Sequence, residues 1–282
     1  MLPSARSNLG TLASWGSQEL ASASSSPRLD AELLLAMVTN RSRSAVLGFP
    51  ELAVSAETKD RFRRLIQERN VGVPLAYLIG TKEFYSLELT ISRETLVPRP
   101  ETELIVDLAL AFLPDDSRAR VLDLGTGSGA IALALKRERP NIDIYAVDSS
   151  STALAVAERT AIRLGLDIHC VKSVWFESLP PDAYDLIVTN PPYVSTSDLD
   201  SIDNLRHEPR NALDGGRDGL DSIRKIFARA HSYLTADGRI MLEHGVDQAA
   251  AVAALALQNN LTEAVVHPDL SGRDRVTTAR VL

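Results

Sequence analysis

The chain has 282 residues, 45 % hydrophobic and 24 % charged. That composition gives apolar surface enough for one large domain or two modest ones and excludes wholesale disorder. Cys170 stands alone, which excludes an intrachain disulfide and a cysteine-based zinc centre. A formal net charge of −7 argues against binding nucleic acid through bulk charge.

The first residues lack a charged start followed by an apolar stretch, so no signal peptide is expected. No run reaches the roughly 18 apolar residues that cross a bilayer, and the expected compartment is the cytoplasm. Residues 1–80 carry 9 Lys and Arg against 7 Asp and Glu, and the remainder carries 21 against 30, so the two parts differ in sign. In the first part, Ser26 and Pro27 read as an N-cap and first helical residue. Leu29, Leu33, Ala36 and Met37 then repeat at helical spacing and are expected on the buried face. Ser55 is expected to cap another helix, with Phe62, Leu65 and Ile66 inward and Arg61, Arg63, Arg64 and Arg69 outward. That basic face is either solvated or docks a partner. The Ser-rich stretch 22–26 reads as an interhelix loop.

Residues 83–97 alternate, with Phe84, Leu87, Leu89 and Ile91 apolar, and read as a β-hairpin or extended connector. Pro98 and Pro100 stop it. A helix is expected over 101–112, with Glu101 and Glu103 in its first turn, where the macrodipole favours acids. Strands are then expected at 121–124, 142–147, 184–189, 239–243, 262–267 and 275–281. Helices are expected at 129–137, 151–164, 220–234 and 248–259. This alternation predicts an α/β fold with a mostly parallel sheet covered by helices on both faces. Residues 195–217 read as a long polar loop, a length that usually marks function or disorder. Cys170 is expected at a strand end, buried and inert. His169, His231 and His267 read as structural, and His244 as a residue that could line a pocket.

Three motifs carry chemistry. Asp123-Leu-Gly-Thr-Gly-Ser-Gly129 follows a predicted strand and opens a predicted helix. Gly125, Gly127 and Ala130 match the dinucleotide spacing G-x-G-x-x-A, where glycines let the backbone approach a ligand beside free helix N–H groups. Asp148 ends the next strand, where a carboxylate accepts ribose hydroxyls or caps the following helix. Asn190-Pro-Pro-Tyr193 follows the strand 184–189. Its prolines remove two N–H donors, leaving carbonyls and the Asn190 side chain as acceptors for the two hydrogens of a planar NH2 group. Each motif follows a different strand, so in an open parallel sheet all three should converge on one crevice.

These motifs resemble the S-adenosylmethionine-dependent methyltransferases that act on amino groups. The chain resembles, more narrowly, the HemK/PrmC family, which methylates the glutamine of the Gly-Gly-Gln motif in class I peptide chain release factors. The resemblance extends to Asp30-Ala-Glu-Leu-Leu-Leu, Pro74-Leu-Ala-Tyr-Leu-Ile-Gly80, Pro98-Arg-Pro-Glu-Thr-Glu103, Trp175-Phe176, Glu208-Pro209 and Leu242-Glu-His-Gly245, over about residues 28–280. It implies a Rossmann-like methyltransferase sheet with an antiparallel final strand. The implied organisation is a helical substrate-docking domain at 1–80, a hairpin connector at 81–97 and a methyltransferase domain at 98–282. It implies S-adenosyl-L-methionine as methyl donor, S-adenosyl-L-homocysteine as product, and no metal. Gly125, Thr126, Gly127, Ser128 and Gly129 would hold the methionine part, Asp148 the ribose and Trp175 the adenine. Asn190 would touch both cofactor region and substrate amide, with Pro191, Pro192 and Tyr193 completing the amide site. Asn190 and Pro191 are the expected catalytic residues. The expected partner is a release factor, with neither membrane nor direct nucleic-acid binding. Val174 stands where the family often has an acidic or amide residue, and Ala161 where it often has Asn. A nucleic-acid amino methyltransferase acting on adenine N6 or guanine N2 shares the Asn-Pro-Pro-Tyr signature, but the negative charge of residues 81–282 argues against it. A nicotinamide dehydrogenase fits the glycine spacing but leaves Asn190–Tyr193 without a role.

Overall fold

The computed structural model describes residues 7–180, 183–202 and 205–281. The chain forms two compact units, one ending at Thr81 and the other beginning at Lys82.

The first unit is helical: α1 (Leu9–Glu19), α2 (Pro27–Thr39), α3 (Arg43–Gly48), α4 (Ala56–Asn70) and α5 (Leu75–Ile79). Leu9, Leu12, Ala31, Leu34, Leu35, Phe62 and Ile66 form its core. Gly16 permits the close approach of α1, because a Cβ there would lie 2.8 Å from Phe62 Cζ and 3.1 Å from Ala31 Cβ. The buried face of α2 matches the expected one at Ala36 but is otherwise shifted. Ala31, Leu34, Leu35 and Val38 point inward, while Leu29 is exposed and Leu33 and Met37 are half-buried. The sequence offers two overlapping apolar stripes there, and packing against α1 and α4 selects one. Ser26 occupies the N-cap position without capping, since its hydroxyl donates to Asp30 instead. Ser55 caps α4 as expected. Arg69 is not outward: its guanidinium reaches the buried carboxylate of Asp30 at 2.8 Å. Glu32, also buried, accepts from Arg28 and Arg43 at 2.8 Å each. Burial pushes the Glu32 carboxyl up, but the two guanidinium groups outweigh it and hold it below its ordinary value.

The strands β1 (Thr81–Phe84) and β2 (Leu87–Thr90) pair as a two-stranded sheet. The two residues between them, Tyr85 and Ser86, have φ of 48° and 58°, the left-handed pair that a tight hairpin turn requires. Tyr85 is held there by Glu103, which accepts its N–H, and by Asp107, which accepts its hydroxyl, both at 2.9 Å. The remaining elements follow in chain order: α6 (Glu103–Phe112), β3 (Arg120–Leu124), α7 (Ala130–Glu138), β4 (Asp143–Asp148), α8 (Ser151–Leu164), β5 (His169–Lys172), β6 (Tyr184–Thr189), α9 (Thr196–Ser201), α10 (Asp221–Ala230), β7 (Leu234–Glu243), α11 (Ala249–Gln258), β8 (Leu261–Pro268) and β9 (Asp274–Val281). A short 3₁₀ turn at Pro100–Thr102 precedes α6, so the α-helix proper starts two residues later than expected. Strand β2 packs on α8, where Thr160 Oγ1 accepts the Thr90 N–H, so the hairpin is integral to the second unit.

Seven strands form one sheet in the order β5-β4-β3-β6-β7-β9-β8. Pairings among β3 to β7 are parallel, and β9 runs antiparallel to both neighbours. The α/β class and the antiparallel final strand therefore hold. Leu122, Leu124, Ile187, Phe227, Ile240 and Leu242 anchor the sheet's core. Two boundaries shift for tertiary reasons. α10 stops at Ala230 because the Tyr233 ring stacks on Phe176, with centroids 4.5 Å apart, and its carbonyl accepts the Tyr184 N–H. β7 starts at Leu234 rather than 239, irregularly paired with β6 around Tyr184. Cys170 lies inside β5, half-buried, rather than at a strand end. The loop at 195–217 contains α9 and a 3₁₀ turn at Arg210–Ala212.

Candidate active site

The chain begins this sheet at β3, moves outward through β4 to β5, and then returns to pair β6 on the other side of β3. The carboxyl ends of β3 and β6 thus flank a topological switch point, where open α/β sheets bind ligands. A cavity of about 230 Å³ opens there. It brings together Gly125, Thr126, Gly127, Ser128, Asp148, Trp175, Asn190 and Pro192, expected from the sequence to share a site. Gly129, Pro191 and Tyr193 do not line it. Gly129 serves packing: a Cβ there would come within 3.0 Å of Ala157 Cβ and Leu133 Cδ1.

The loop after β3 is shaped by its backbone. Gly125 and Gly127 have φ of 73° and 56°, the left-handed region that side chains disfavour. The N–H groups of Gly125 and Thr126 donate to the Val147 carbonyl at 2.8 and 2.9 Å, tying the loop to β4. Asp148 completes the tie. Its Oδ2 accepts the Gly127 N–H and its Oδ1 the Ser150 N–H, each at 2.9 Å. Burial nevertheless outweighs these bonds and raises its pKa. Beneath the loop, Asp123 Oδ2 accepts the Thr126 hydroxyl at 2.7 Å and the Ala132 N–H at 3.2 Å. Complete burial pushes this carboxyl up to about 7, and its Oδ1 has no partner among the described residues.

Trp175 has φ of 49°, a strained conformation for a bulky residue. Its ring covers Gly125, where a Cβ would sit 3.5 Å from Trp175 Cζ3. Val174 is exposed and also lines the cavity, whereas Ala161 is buried on α8 and does not.

Asn190 follows β6. Its Nδ2 donates to Thr102 Oγ1 at 3.0 Å, and no described residue donates to its Oδ1. Thr102 is buried, as is Glu243 at the end of β7. Tyr193 turns its hydroxyl to Glu243 Oε1 at 3.0 Å, and its carbonyl accepts from Gln248 Nε2 at 3.0 Å. Burial raises the pKa of both Glu243 and Tyr193. The loop at 195–217 reaches the cavity through Asn211 and Ala212. Glu208 anchors it, accepting the Val97 N–H at 3.0 Å and pairing with Arg99. His244 is fully buried, with both ring nitrogens engaged at 2.9 Å by the Gly245 carbonyl and Thr277 Oγ1. Burial lowers its pKa, and its role is structural.

Thr95, Pro98, Thr102, Ser150 and Asn211 also line the cavity and received no role from the sequence. Thr102 sits inside the Pro98–Glu103 block, whose resemblance to the family is the signal the sequence offers. Among the described residues no group of three or more His, Cys, Asp and Glu could hold a metal ion, and no helix is long and apolar enough to cross a membrane.

Residues 104–266 match the methyltransferase small domain, and residues 11–80 match the PrmC N-terminal domain. The release factor glutamine methyltransferase of Coxiella burnetii is 42 % identical over 265 residues, 94 % of this chain and 95 % of that protein. The protein of the same name from Pseudomonas aeruginosa is 46 % identical over 256 residues, 90 % of this chain and 92 % of its own. A solved methyltransferase from Pyrococcus furiosus superposes with a TM-score of 0.54 at 15 % identity, covering 78 % of this chain and 98 % of that one, which speaks to the fold. A cavity at the switch point of a methyltransferase sheet, and relatives alike over nine-tenths of their length, lead to one conclusion: the chain belongs to the HemK/PrmC family of release factor glutamine methyltransferases.

Proposed function

We propose that this protein transfers a methyl group from S-adenosyl-L-methionine to the side-chain amide nitrogen (N5) of the glutamine in the Gly-Gly-Gln motif of class I peptide chain release factors, and so modulates translation termination. The observation that carries this reading is the amide of Asn190. With Nδ2 committed to Thr102, its free Oδ1 is an acceptor beside the cavity, the polarity that an incoming carboxamide NH2 needs.

The residues present fit the methyl donor. The left-handed glycines 125 and 127 leave a cradle that side chains would fill, Asp148 keeps acceptor capacity beyond its two backbone N–H bonds, and the Trp175 ring offers a flat wall for adenine. When bound, S-adenosylmethionine supplies an electrophilic methyl group and leaves as S-adenosylhomocysteine. The acceptor is a poor nucleophile, because the amide lone pair is delocalised into its carbonyl. Asn190 Oδ1 would accept one of its N–H bonds, with the carbonyl of the adjacent Pro191, just outside the cavity lining, as second acceptor; together they would orient the nitrogen and favour the positive charge that develops on it. Neither Pro191 nor Pro192 carries an N–H to compete. The surplus proton leaves the nitrogen after transfer, so no side-chain base is required. Pro192 and Tyr193 complete the amide site, with Tyr193 held by Glu243 and Gln248.

The test is mass spectrometry of a class I release factor after incubation with the protein and S-adenosylmethionine. One added methyl on the Gly-Gly-Gln glutamine is expected. Methylation of DNA or RNA adenine or guanine in its place would favour the nucleic-acid reading. The helical unit is assigned to docking the protein substrate, because the amide site itself reads only a few atoms. Removing residues 1–80 should leave S-adenosylmethionine binding in place and abolish action on the intact release factor. Undiminished activity would end that assignment.

A further inference from the structure

We infer that Glu94 is a further cofactor-binding residue, a second carboxylate that accepts the ribose diol of the methyl donor alongside Asp148. The inference rests on the reading of the cavity as the S-adenosylmethionine site. A ribose brings two adjacent hydroxyl protons, and each needs an acceptor once it leaves water. Both oxygens of Asp148 already accept a backbone N–H, from Gly127 and from Ser150. Alone, Asp148 would have to take both hydroxyls on the lone pairs that remain. Among the described residues that line the cavity, Glu94 carries the one other charged side chain, and it too is an acid.

Glu94 is exposed at the cavity rim, yet it is held in place. Its turn is pinned on Ser92, whose Oγ accepts the Glu94 N–H at 3.3 Å and whose carbonyl accepts the N–H of the buried Thr95 at 3.2 Å. Its carboxylate ends a chain of hydroxyls that starts beside Asp148. Thr152 Oγ1 donates to Glu94 Oε2 at 2.7 Å. A hydroxyl has one proton, so in the 2.8 Å contact between Thr152 and Ser150 it is Ser150 that donates. Ser150 Oγ in turn accepts the Ala153 N–H at 3.2 Å and caps α8, while the Ser150 N–H goes to Asp148 Oδ1. Each hydroxyl proton of the chain therefore points towards Glu94. Ser150 lines the cavity but has no proton left for a ligand. Glu94 commits Oε2 to Thr152, and no described residue donates to its Oε1. The two carboxylates thus flank Ser150, and together they can accept both hydroxyls of a vicinal diol. Docking the turn on α8 needs only one acceptor, which a neutral side chain would supply without a second negative charge at the cavity.

The experiment is calorimetry on the full-length protein with S-adenosylhomocysteine, its 2′,3′-dideoxy analogue and its analogue lacking the exocyclic adenine amine. Glu94→Ala should bind S-adenosylhomocysteine about five- to tenfold more weakly than wild type, the worth of a charge-assisted hydrogen bond reduced by exposure at the rim. For the dideoxy analogue the two proteins should agree to within about twofold, because the hydroxyls that Glu94 accepts are gone. Equal losses with both probes would reduce Glu94 to a support for the rim and overturn the inference, as would unchanged affinity for S-adenosylhomocysteine. With the analogue lacking the amine, the full loss should persist. A loss that vanishes only there would assign Glu94 to adenine and overturn the ribose assignment. Thr152→Val removes the hydroxyl that holds Oε2. It should weaken S-adenosylhomocysteine binding about two- to threefold, with no further loss when Glu94 is Ala. The same loss in both backgrounds would overturn Thr152 as the group that positions Glu94. If Glu94→Ala does not fold, Glu94→Gln takes its place, with a loss of about threefold that again disappears with the dideoxy analogue. A wild-type protein that bound none of the probes would remove the cofactor reading itself, whereas failure of the Glu94 assignment alone leaves wild-type binding intact.

Discussion

Asp148 ties the glycine loop to the helix that follows β4, and the Asp148→Asn variant tests whether it also grips the ribose. The carboxylate accepts N–H groups from Gly127 and Ser150, one on each oxygen. An asparagine keeps one of these acceptors and turns an NH2 donor toward the other N–H. One charge-assisted hydrogen bond is lost, about 1.5–3 kcal/mol. The fold does not lose all of that, because burial already raises the Asp148 pKa and the neutral amide relieves the buried charge. Stability is therefore expected to stay within about 1.5 kcal/mol of wild type. The ligand has no such offset. Ribose hydroxyls would exchange a charged acceptor for a neutral one, and 1.5–3 kcal/mol corresponds to roughly 10- to 150-fold weaker S-adenosylmethionine binding. Isothermal calorimetry measures the Kd, and a thermal melt checks the fold. A Kd within about twofold of wild type, for a variant that melts normally, would remove Asp148 from the cofactor site.

Three further outcomes follow from the same geometry. Asn190→Ala should lower kcat on the order of 10²–10³-fold, as for the loss of a preorganised polar contact, while S-adenosylmethionine affinity changes little. Wild-type turnover would contradict its role. Asp123 has its folded pKa raised to about 7, so the folded state holds a proton that the unfolded chain releases near pH 4, and stability should fall as pH rises across that window, by at most about 1.4 kcal/mol per pH unit. Thermal midpoints between pH 4.5 and pH 7.5 should show a shallower decline for Asp123→Asn, and parallel curves would refute the assignment. Glu208→Ala strands the buried Val97 N–H and frees Arg99, which is partly exposed and can rehydrate. A loss of about 1.5–3 kcal/mol is expected from the urea midpoint, and an unchanged midpoint would show that the anchor contributes nothing.

How far each feature could be read from the chain depended on whether its signal was local. The strand at Tyr184–Thr189 and the helix at Ser151–Leu164 have the expected boundaries, because each is a periodic apolar segment with turn residues on both sides. The α10–β7 junction departs from the expected boundary because the ring of Tyr233 decides it by stacking on Phe176, a contact 57 residues away in sequence. On α2 only Ala36 of the expected face is fully buried, because Leu29 and Leu33 compete with Ala31, Leu34, Leu35 and Val38 for the same spacing. Arg69 reads as one more surface cation in the sequence, but its partner Asp30 lies buried beneath it, 39 residues back.

The candidate site divides in the same way. Gly125, Gly127, Asp148 and Asn190 could be named from the chain because each ends or follows a strand, and parallel strands carry such positions to one edge of the sheet. Only the tertiary structure could show that Gly129 packs against Ala157 instead of lining the cavity, or that Tyr193 turns its hydroxyl away to Glu243. The same holds for Thr102 meeting Asn190 across 88 residues. Backbone conformation and strand order are written in short-range pattern. The direction of a hydrogen bond is set by whichever donors and acceptors the finished fold brings within 3 Å, and no stretch of sequence contains both partners.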